Sequence, residues 1–233
     1  MPPKARPASL KTAIYEQIAR IGQAAASSSR LELLDLLSQG PRTVEALARQ
    51  TGRSVATTSH HLQVLRRARL VDAEKAGLYV TYRLADPQVG DFFLELRRLA
   101  ESRLAEVQQV TRQYLEQRGA LEPIDNEELG RRVRAGEVTV IDVRPREEYV
   151  AGHIPDAISV PLADLPKRLR HLPKRHDIVA YCRGPYCVMA LDAVDLLRRK
   201  GFRAQRLEHG VAEWRAQGWR VDTGEDRRAG RRT

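Results

Sequence analysis

Apolar residues in the N-terminal half of the chain recur mostly at helical spacing. A stripe from Leu10 to Ile21 predicts a first helix, and a second stripe ends at Gly40-Pro41. Two shorter helices are predicted next, Val44 to Gln50 and Val55 to Leu65, with a tight Thr-Gly turn between them. Two short helices joined in this way form a helix-turn-helix.

The pattern after the helix-turn-helix changes from helical to alternating. Ala73 to Gly77 is predicted as a turn, and Leu78 to Leu84 alternates at period 2, which indicates a strand of a hairpin wing. Asp86-Pro87 is a favourable N-cap and N1 pair for a long helix. Its apolar positions continue at roughly heptad spacing to Tyr114, with Arg103 as an interruption, so a dimer contact is favoured over an intrachain role.

Strands alternate with helices in the C-terminal half, which predicts an α/β sheet that is parallel at least in part. Asp125 is expected to cap a helix from Glu127 to Arg134. The predicted strands are Val138–Val143, Ile158–Val160, Ile178–Tyr181 and Arg203–Leu207.

The two patterns together predict a multidomain chain, with a mainly helical α+β domain followed by an α/β domain. The expected bounds are residues 9–118 and 123–222, with a boundary near 119–123. Residues 1–8 and 223–233 lack periodicity and are predicted to be disordered.

Composition adds an expectation about partners and compartment. The formal net charge of +10 points to an anionic partner, with nucleic acid the leading candidate. The N-terminus carries no apolar signal segment and no apolar run reaches membrane-spanning length, so a cytoplasmic protein without membrane contact is expected. Two close cysteines suit a reducing compartment and redox or catalytic use.

The second helix of the helix-turn-helix is the candidate DNA-reading element. Val55, Leu62 and Leu65 are expected to face the core. Short polar side chains are left for base edges and phosphates, although a merely solvated face would look the same. The candidate DNA-binding residues are Ser54, Thr57, Thr58, Ser59, His60 and Gln63 on this helix, with Lys75 and Arg83 on the wing.

The run LELLDLLSQGPRTVEALARQTGRSVATTSHHLQVLRRARLVDAEKAGLYVTYRL resembles the ArsR family of winged-helix repressors. The resemblance implies a homodimer on palindromic double-stranded operator DNA, formed through the first helix and the helix over 86–117. Metal sensors of this family carry cysteines on the helix before the recognition helix, or His, Asp and Glu sets on the terminal helix. Here Val44–Gln50 contains neither Cys nor His, and Asp91–Glu116 contains no His, so neither a metal nor a cofactor is predicted.

Both cysteines lie in one stretch, IVAYCRGPYCVM, where a short apolar strand ends at Cys182 and a Gly-Pro turn leads into a helix. This geometry gathers backbone N–H groups around a sulfur, which lowers a thiol pKa and forms a cradle for an anion. Cys182 and Cys187 are therefore candidate reactive thiols, although buried cysteines that only pack remain the alternative. The candidate substrate-binding residues of the loop are Arg183, Gly184, Tyr186 and Val188.

Three ordered segments resemble a rhodanese domain: VIDVRPREEYVAGHIPDAISVP, IVAYC and GFRAQRLEHGVAEWRAQGW. The resemblance implies that Cys182 accepts a sulfane sulfur and becomes a persulfide. The loop departs from the family, because its fifth position after Cys182 is Cys187 in place of a basic residue. Cys187 either resolves that persulfide or packs at the start of the helix.

The sequence thus predicts a DNA-binding transcriptional regulator, a repressor by resemblance. Its rhodanese-like domain would sense a sulfane-sulfur donor or another thiol-reactive small molecule through Cys182, with or without Cys187. Two alternatives remain open. One is a sulfurtransferase enzyme, with an atypical active-site loop, tethered to a DNA-binding domain. The other is a sensor of arsenite or oxidants that uses the same cysteine pair.

Overall fold

The computed structural model describes residues 9–118 and 123–225. The expected disorder of residues 1–8 and 226–233, and most of the expected domain boundary, lie outside the described residues. The chain divides into two compact units between Phe93 and Leu94, and each is described by itself. The domain bounds expected from the sequence, 9–118 and 123–222, stay a prediction.

The first unit is a helical bundle with a small antiparallel sheet. Its strands lie in the order β1-β3-β2, and its core contains Leu34, Leu47, Leu62 and Leu65, all fully buried. Its elements are α1 (Leu10–Ala25), α2 (Ser28–Ser38), β1 (Arg42–Thr43), α3 (Val44–Thr51), α4 (Val55–Arg67), β2 (Val71–Ala76), β3 (Tyr79–Leu84) and the start of α5 (Pro87–Arg103).

Local capping explains why the helix-turn-helix forms where the sequence predicts it. The Thr43 side chain accepts a hydrogen bond from the Ala46 N–H at the start of α3, and Ser54 does the same for Thr57 at the start of α4. Gly52 ends α3 in the left-handed conformation, with φ of 64°. Gly52 and Ser54 fix the two ends of the turn, Thr43 fixes the start of α3, and the winged helix-turn-helix is confirmed.

The hairpin of the wing is tighter than predicted. Ala73 to Ala76, expected as a turn, belong to β2, and Ala76 pairs with Tyr79. The turn is therefore Gly77-Leu78, with Gly77 at φ of 60°. Charged residues are weak strand formers, so the sequence pattern predicts a turn here. Pairing with β3 instead makes these residues part of a strand.

The helix predicted over residues 86–117 is not continuous. It breaks at Leu104, whose extended backbone (φ −110°, ψ 102°) separates α5 from α6 (Ala105–Gln117). Neither Gly nor Pro marks the break. After the break, α6 is capped at its end by Arg118, which donates hydrogen bonds to Asp192 and Asp195. The change of direction is therefore accompanied by tertiary contacts of the following helix.

The second unit contains a four-stranded parallel sheet in the order β5-β4-β6-β7, and the four predicted strands are confirmed. Apolar clusters cover the sheet on both faces. Besides the end of α5 and α6, its elements are α7 (Asn126–Arg134), β4 (Val138–Asp142), α8 (Arg146–Ala151), β5 (Ile158–Ser159), α9 (Leu165–Arg168), a 3-10 turn (Leu169–His171), β6 (Asp177–Tyr181), α10 (Met189–Arg199), β7 (Ala204–Arg206) and α11 (Val211–Ala216).

Candidate functional site: the cysteine loop and the DNA-reading helix

The cysteine loop begins at the carboxyl end of a central strand. Strand β6 lies between β4 and β7, and Cys182 follows its last residue, Tyr181. Ligand sites of open parallel sheets lie at this edge. The loop closes through a hydrogen bond from the Cys187 N–H to the Gly184 carbonyl (3.1 Å), and α10 starts two residues after Cys187.

A close backbone approach supports the loop from below. A Cβ atom on Gly210 would lie 2.5 Å from both the carbonyl carbon and the carbonyl oxygen of Arg183, and 2.8 Å from the carbonyl oxygen of Cys182. Real side chains do not tolerate such distances to backbone atoms. The absence of a side chain at Gly210 therefore allows the segment before α11 to pack directly against the loop backbone.

Arg183 is held by a buried carboxylate. Its Nη2 and Nε donate to the two oxygens of Glu148 at 2.6 and 3.0 Å, and Glu148 is 1% exposed. A second buried pair lies at the end of β4, where Arg144 donates to Asp142 (2.6 Å) and to the Gly152 carbonyl (2.7 Å). The paired guanidinium of Arg183 thus orders the loop while it adds positive charge beside the thiols.

The two thiols differ in environment. Cys182 is buried in the apolar cluster beneath α10, and its Sγ lies 3.3 Å from the carbonyl oxygen of Cys187. Burial, together with the neighbouring Cys187 thiol, raises the pKa of Cys182 well above the ordinary value. The neighbouring Cys182 thiol, with N–H groups of Arg183 and Met189 and the Arg183 charge, lowers the pKa of Cys187 to about 7. Cys187 is thus the thiolate of the pair near neutral pH.

The segment that follows the wing contacts this loop within the second unit. The Tyr186 hydroxyl donates to Glu101 Oε1 of α5 at 2.6 Å. Arg97 of α5 pairs with the buried Glu213 of α11, whose other oxygen accepts from the Gly210 N–H at 2.8 Å. Sequence reasoning missed these contacts, because they join residues far apart in the chain.

An apolar cavity of about 190 Å³ lies between α6 and the cysteine loop. Cys187 lines it, whereas Cys182 does not. Of the other predicted loop residues, Tyr186 and Val188 line the cavity. Gly184 does not line it and instead lies close to the Glu213 carboxylate. The remaining lining residues are Val110, Thr111, Tyr114, Leu115, Pro185 and Leu191.

The DNA-reading helix α4 presents most of the predicted residues to solvent. Ser54, Thr57, His60 and Gln63 are exposed, and Ser59 is half-buried. Two expectations were wrong. Thr58 is fully buried, and its hydroxyl donates to the Ser54 carbonyl at 3.0 Å, so it does not face a groove.

The second wrong expectation concerns Val55, which was expected to face the core but is 45% exposed. Thr58, Leu62 and Leu65 follow at helical spacing and are all buried, so the core face starts three residues later than expected. Burying Thr58 is tolerated because its hydroxyl is satisfied within the helix.

Two basic residues at the end of α4 were missed. Arg66 and Arg67 are exposed, one turn after Gln63, and the i, i+3 spacing from Gln63 to Arg66 was the signal that could have found them. On the wing, Lys75 is exposed as expected. Arg83 lies 3.6 Å from Asp72 and 3.8 Å from Glu74 on the neighbouring strand, so part of its charge is balanced.

Within residues 9–118 and 123–225, no group of three or more His, Cys, Asp or Glu side chains is placed to hold a metal ion. In the same described ranges, none of the helices has the length and apolar content needed to cross a membrane.

A winged helix-turn-helix followed by a parallel α/β unit with a cysteine at the end of a central strand is the architecture of a DNA-binding regulator with a rhodanese-like domain. Comparison with family models agrees. Residues 27–73 match the bacterial regulatory protein arsR family, and residues 125–217 match the rhodanese-like domain.

The chain is 47% identical over 215 residues to the HTH-type transcriptional regulator Rv0324 of Mycobacterium tuberculosis, covering 92% of this chain and 94% of that protein. A sulfurtransferase of Allochromatium vinosum is 34% identical over 97 residues, 41% of this chain and 89% of the enzyme. The solution structure of the homodimeric winged helix-turn-helix domain of Mb0332 from Mycobacterium bovis is 40% identical, with a TM-score of 0.40, over 43% of this chain and 93% of that domain. The chain belongs to the ArsR-family HTH-type transcriptional regulators that carry a rhodanese-like domain.

Proposed function

We propose that this regulator is a repressor that senses reactive sulfur through the Cys182–Cys187 pair and releases operator DNA when the pair is modified. The observation that carries the proposal is that both cysteines lie in one loop, where Cys182 Sγ is 3.3 Å from the Cys187 carbonyl oxygen and the pKa of Cys187 is lowered to about 7. A thiolate beside a second thiol reacts with a sulfane sulfur and is then resolved as a disulfide. Such a pair converts a chemical signal into a change of loop structure.

Helix α5 is the element proposed to carry the signal. Its residues belong to both units, since it starts at Pro87 and ends at Arg103. Within the second unit it holds the loop through Tyr186 and Glu101. A modification that moves the loop changes this contact, and a difference in contacts between two states is what allosteric coupling requires.

The operator complex is proposed to involve a homodimer formed through α1 and the segment over 86–117. Most of the stripe predicted from the sequence on α1 is exposed among the described residues, with Leu10 79%, Ile14 48% and Ile18 59% exposed. On α5, Leu99 is 56% exposed. Apolar stripes of this kind are typical of surfaces between subunits. Binding of chromosomal DNA would place the protein in the cytoplasm.

The test is a DNA-binding titration on the gene's own upstream region, before and after treatment with glutathione persulfide, with intact mass measured in parallel. We expect affinity to fall at least tenfold as a bridge or a sulfur adduct of about 32 Da appears on the pair. Cys182→Ser and Cys187→Ser, alone and together, are the variants, and untreated protein of each variant is the control for folding and DNA binding. A double variant that still releases DNA on treatment would refute the proposal.

A sulfurtransferase that is tethered to DNA is the second candidate, favoured by the similarity of the C-terminal half to the Allochromatium vinosum enzyme. Catalytic transfer of sulfur from thiosulfate or a persulfide to cyanide, over many turnovers and without effect on DNA affinity, would establish it. If arsenite or peroxide releases DNA and persulfide does not, the pair instead senses those reagents.

A further inference from the structure

The apolar cavity beside Cys187 does not match the chemistry of thiosulfate or of other small inorganic anions. One wall is formed by Val110, Tyr114 and Leu115 of α6. The opposite wall includes Val188 of the loop and Leu191 of α10. An anion gains little from such walls, because the hydroxyls of Thr111 and Tyr186 already donate to Val107 and Glu101 and most other lining side chains are apolar. The cavity suits an apolar group.

The volume of the cavity sets the size of that group. An apolar cavity of about 150 Å³ is large enough to hold a benzene molecule. The cavity here, at about 190 Å³, accommodates an aromatic ring or a branched alkyl group of similar size. Tyr186 and Tyr114 are 48% and 42% exposed, so the cavity is open to entry from solvent.

The position of the two sulfurs sets the order of events. Cys187 lies in the cavity wall, whereas Cys182 is 3% exposed and packs in the sheet core. A donor whose apolar group fills the cavity therefore meets Cys187 first. The acidity of Cys187 is consistent with this order, since the thiolate is the nucleophile.

We propose that the signal is an apolar organic persulfide, R–S–SH, whose R group binds in this cavity while its terminal sulfur is transferred to Cys187. This inference rests on the proposed function and deepens it, because it assigns a substrate class and an entry thiol. It reverses the order expected from the family resemblance, in which Cys182 is the first acceptor.

The chemistry balances in two steps. The Cys187 thiolate attacks the terminal sulfur of R–S–SH, a sulfur–sulfur bond breaks, and R–S⁻ leaves with Cys187 as its persulfide. The Cys182 thiol then loses its proton and attacks Cys187 Sγ, which forms the Cys182–Cys187 disulfide and releases hydrogen sulfide. The donor is reduced to a thiol and hydrogen sulfide, and the two cysteines are oxidised.

The test compares the rates at which benzyl persulfide and glutathione persulfide modify the full chain, followed by intact mass and peptide mapping. We expect benzyl persulfide to react at least tenfold faster. In Cys182→Ser, the second step is blocked, and an adduct of about 32 Da should accumulate on Cys187. In Cys187→Ser, modification by benzyl persulfide should slow at least tenfold.

A matched pair of α6 variants isolates the cavity. Val110 is 66% exposed and lines the cavity, so Val110→Trp should fill it without disturbing a core and should abolish the preference for the benzyl donor. Because α6 lies in the segment proposed to form the dimer, the oligomeric state of this variant is measured as well. Gln109→Trp adds the same bulk one residue away, at an exposed position outside the cavity lining, and should keep the preference. Benzyl alcohol should slow the benzyl donor on the unaltered protein, and should not slow the glutathione donor.

Equal rates for the two donors, a preference that survives Val110→Trp, or a first adduct on Cys182 would each overturn the inference. DNA affinity measured on the same samples separates this failure from failure of the proposed function. If both persulfides release DNA equally well, the sensor stands and the apolar donor is wrong. If the pair is modified without any change in DNA affinity, the sensor itself is wrong.

Discussion

The Sγ atom of Cys182 lies 3.3 Å from the carbonyl oxygen of Cys187 and donates its hydrogen bond there. The neighbouring thiol is the largest of the influences that lower the pKa of Cys187 to about 7. The thiolate of Cys187 is therefore present above pH 7 and lost below it.

Alkylation of the reduced protein should follow this ionisation. We expect the rate at Cys187, measured with iodoacetamide and peptide mapping, to rise through pH 7 and to level off above it. Cys182→Ala removes the donor and should move the midpoint upward, towards the ordinary thiol value of about 8.5. Cys182→Ser keeps a hydroxyl donor and should hold the midpoint below that of Cys182→Ala. Identical midpoints in both variants would show that the donor at position 182 does not set the acidity.

Gly210 provides a test of how the loop is supported. Gly210→Ala would place a methyl group 2.5 Å from the Arg183 backbone, so the loop or the start of α11 must move. We expect a loss of roughly 2 kcal/mol or more in the free energy of unfolding, in the range of overpacked sites. Gly22→Ala is the control, since nothing lies within 4 Å of its Cβ and a helical alanine stabilises by about 0.5–1 kcal/mol. Chemical denaturation of both variants measures the difference, and an unaffected Gly210→Ala protein would contradict the close approach.

The candidate DNA-reading helix places a predicted contact residue, Gln63, five positions after a core residue, Thr58. Gln63 is exposed on α4, and Gln63→Ala should reduce specific operator affinity by about 1–3 kcal/mol while leaving the unfolding transition unchanged. Thr58 is buried, so Thr58→Asp should instead destabilise the first unit, because it places an unpaired charge in the core. Fluorescence anisotropy and thermal unfolding on both variants distinguish the roles. A Thr58→Asp protein of normal stability would restore Thr58 as a surface residue.

Periodicity and turn residues were enough to predict most of the fold. The four strands of the second unit, the caps Thr43 and Ser54, and the position of Cys182 after a central strand all follow from local signals. The errors lie where the signal is weak. The sequence pattern of α4 did not show that Thr58, and not Val55, faces the core. The helix break at Leu104 carries neither Gly nor Pro as a signal.

The parts of the site that escaped prediction depend on long-range packing. Nothing local links Tyr186 to Glu101, and the pairing of Arg183 with Glu148 requires the sheet to be assembled first. The cavity beside Cys187 is likewise formed by residues from separate segments. Sequence spacing indicated two candidate reactive thiols, but packing decides which of them is accessible.

The hydrogen bond from Tyr186 to Glu101 is the proposed link between the cysteine loop and α5, and its removal should weaken the coupling to DNA binding. Tyr186→Phe keeps the ring in place and deletes the hydroxyl that lies 2.6 Å from Glu101 Oε1. We expect persulfide treatment to modify the cysteines at the normal rate, but the resulting loss of DNA affinity to shrink about fivefold, equivalent to about 1 kcal/mol of coupling.

Tyr114→Phe is the matched control, because its hydroxyl accepts a hydrogen bond from Arg118 and its removal leaves the Tyr186–Glu101 contact intact. This variant should respond to persulfide as the unaltered protein does. An unchanged response in Tyr186→Phe would mean that the signal leaves the loop by another route, of which the pairing of Arg97 with Glu213 is the nearest. A response lost in both variants would point to the cavity itself, since both tyrosines line it.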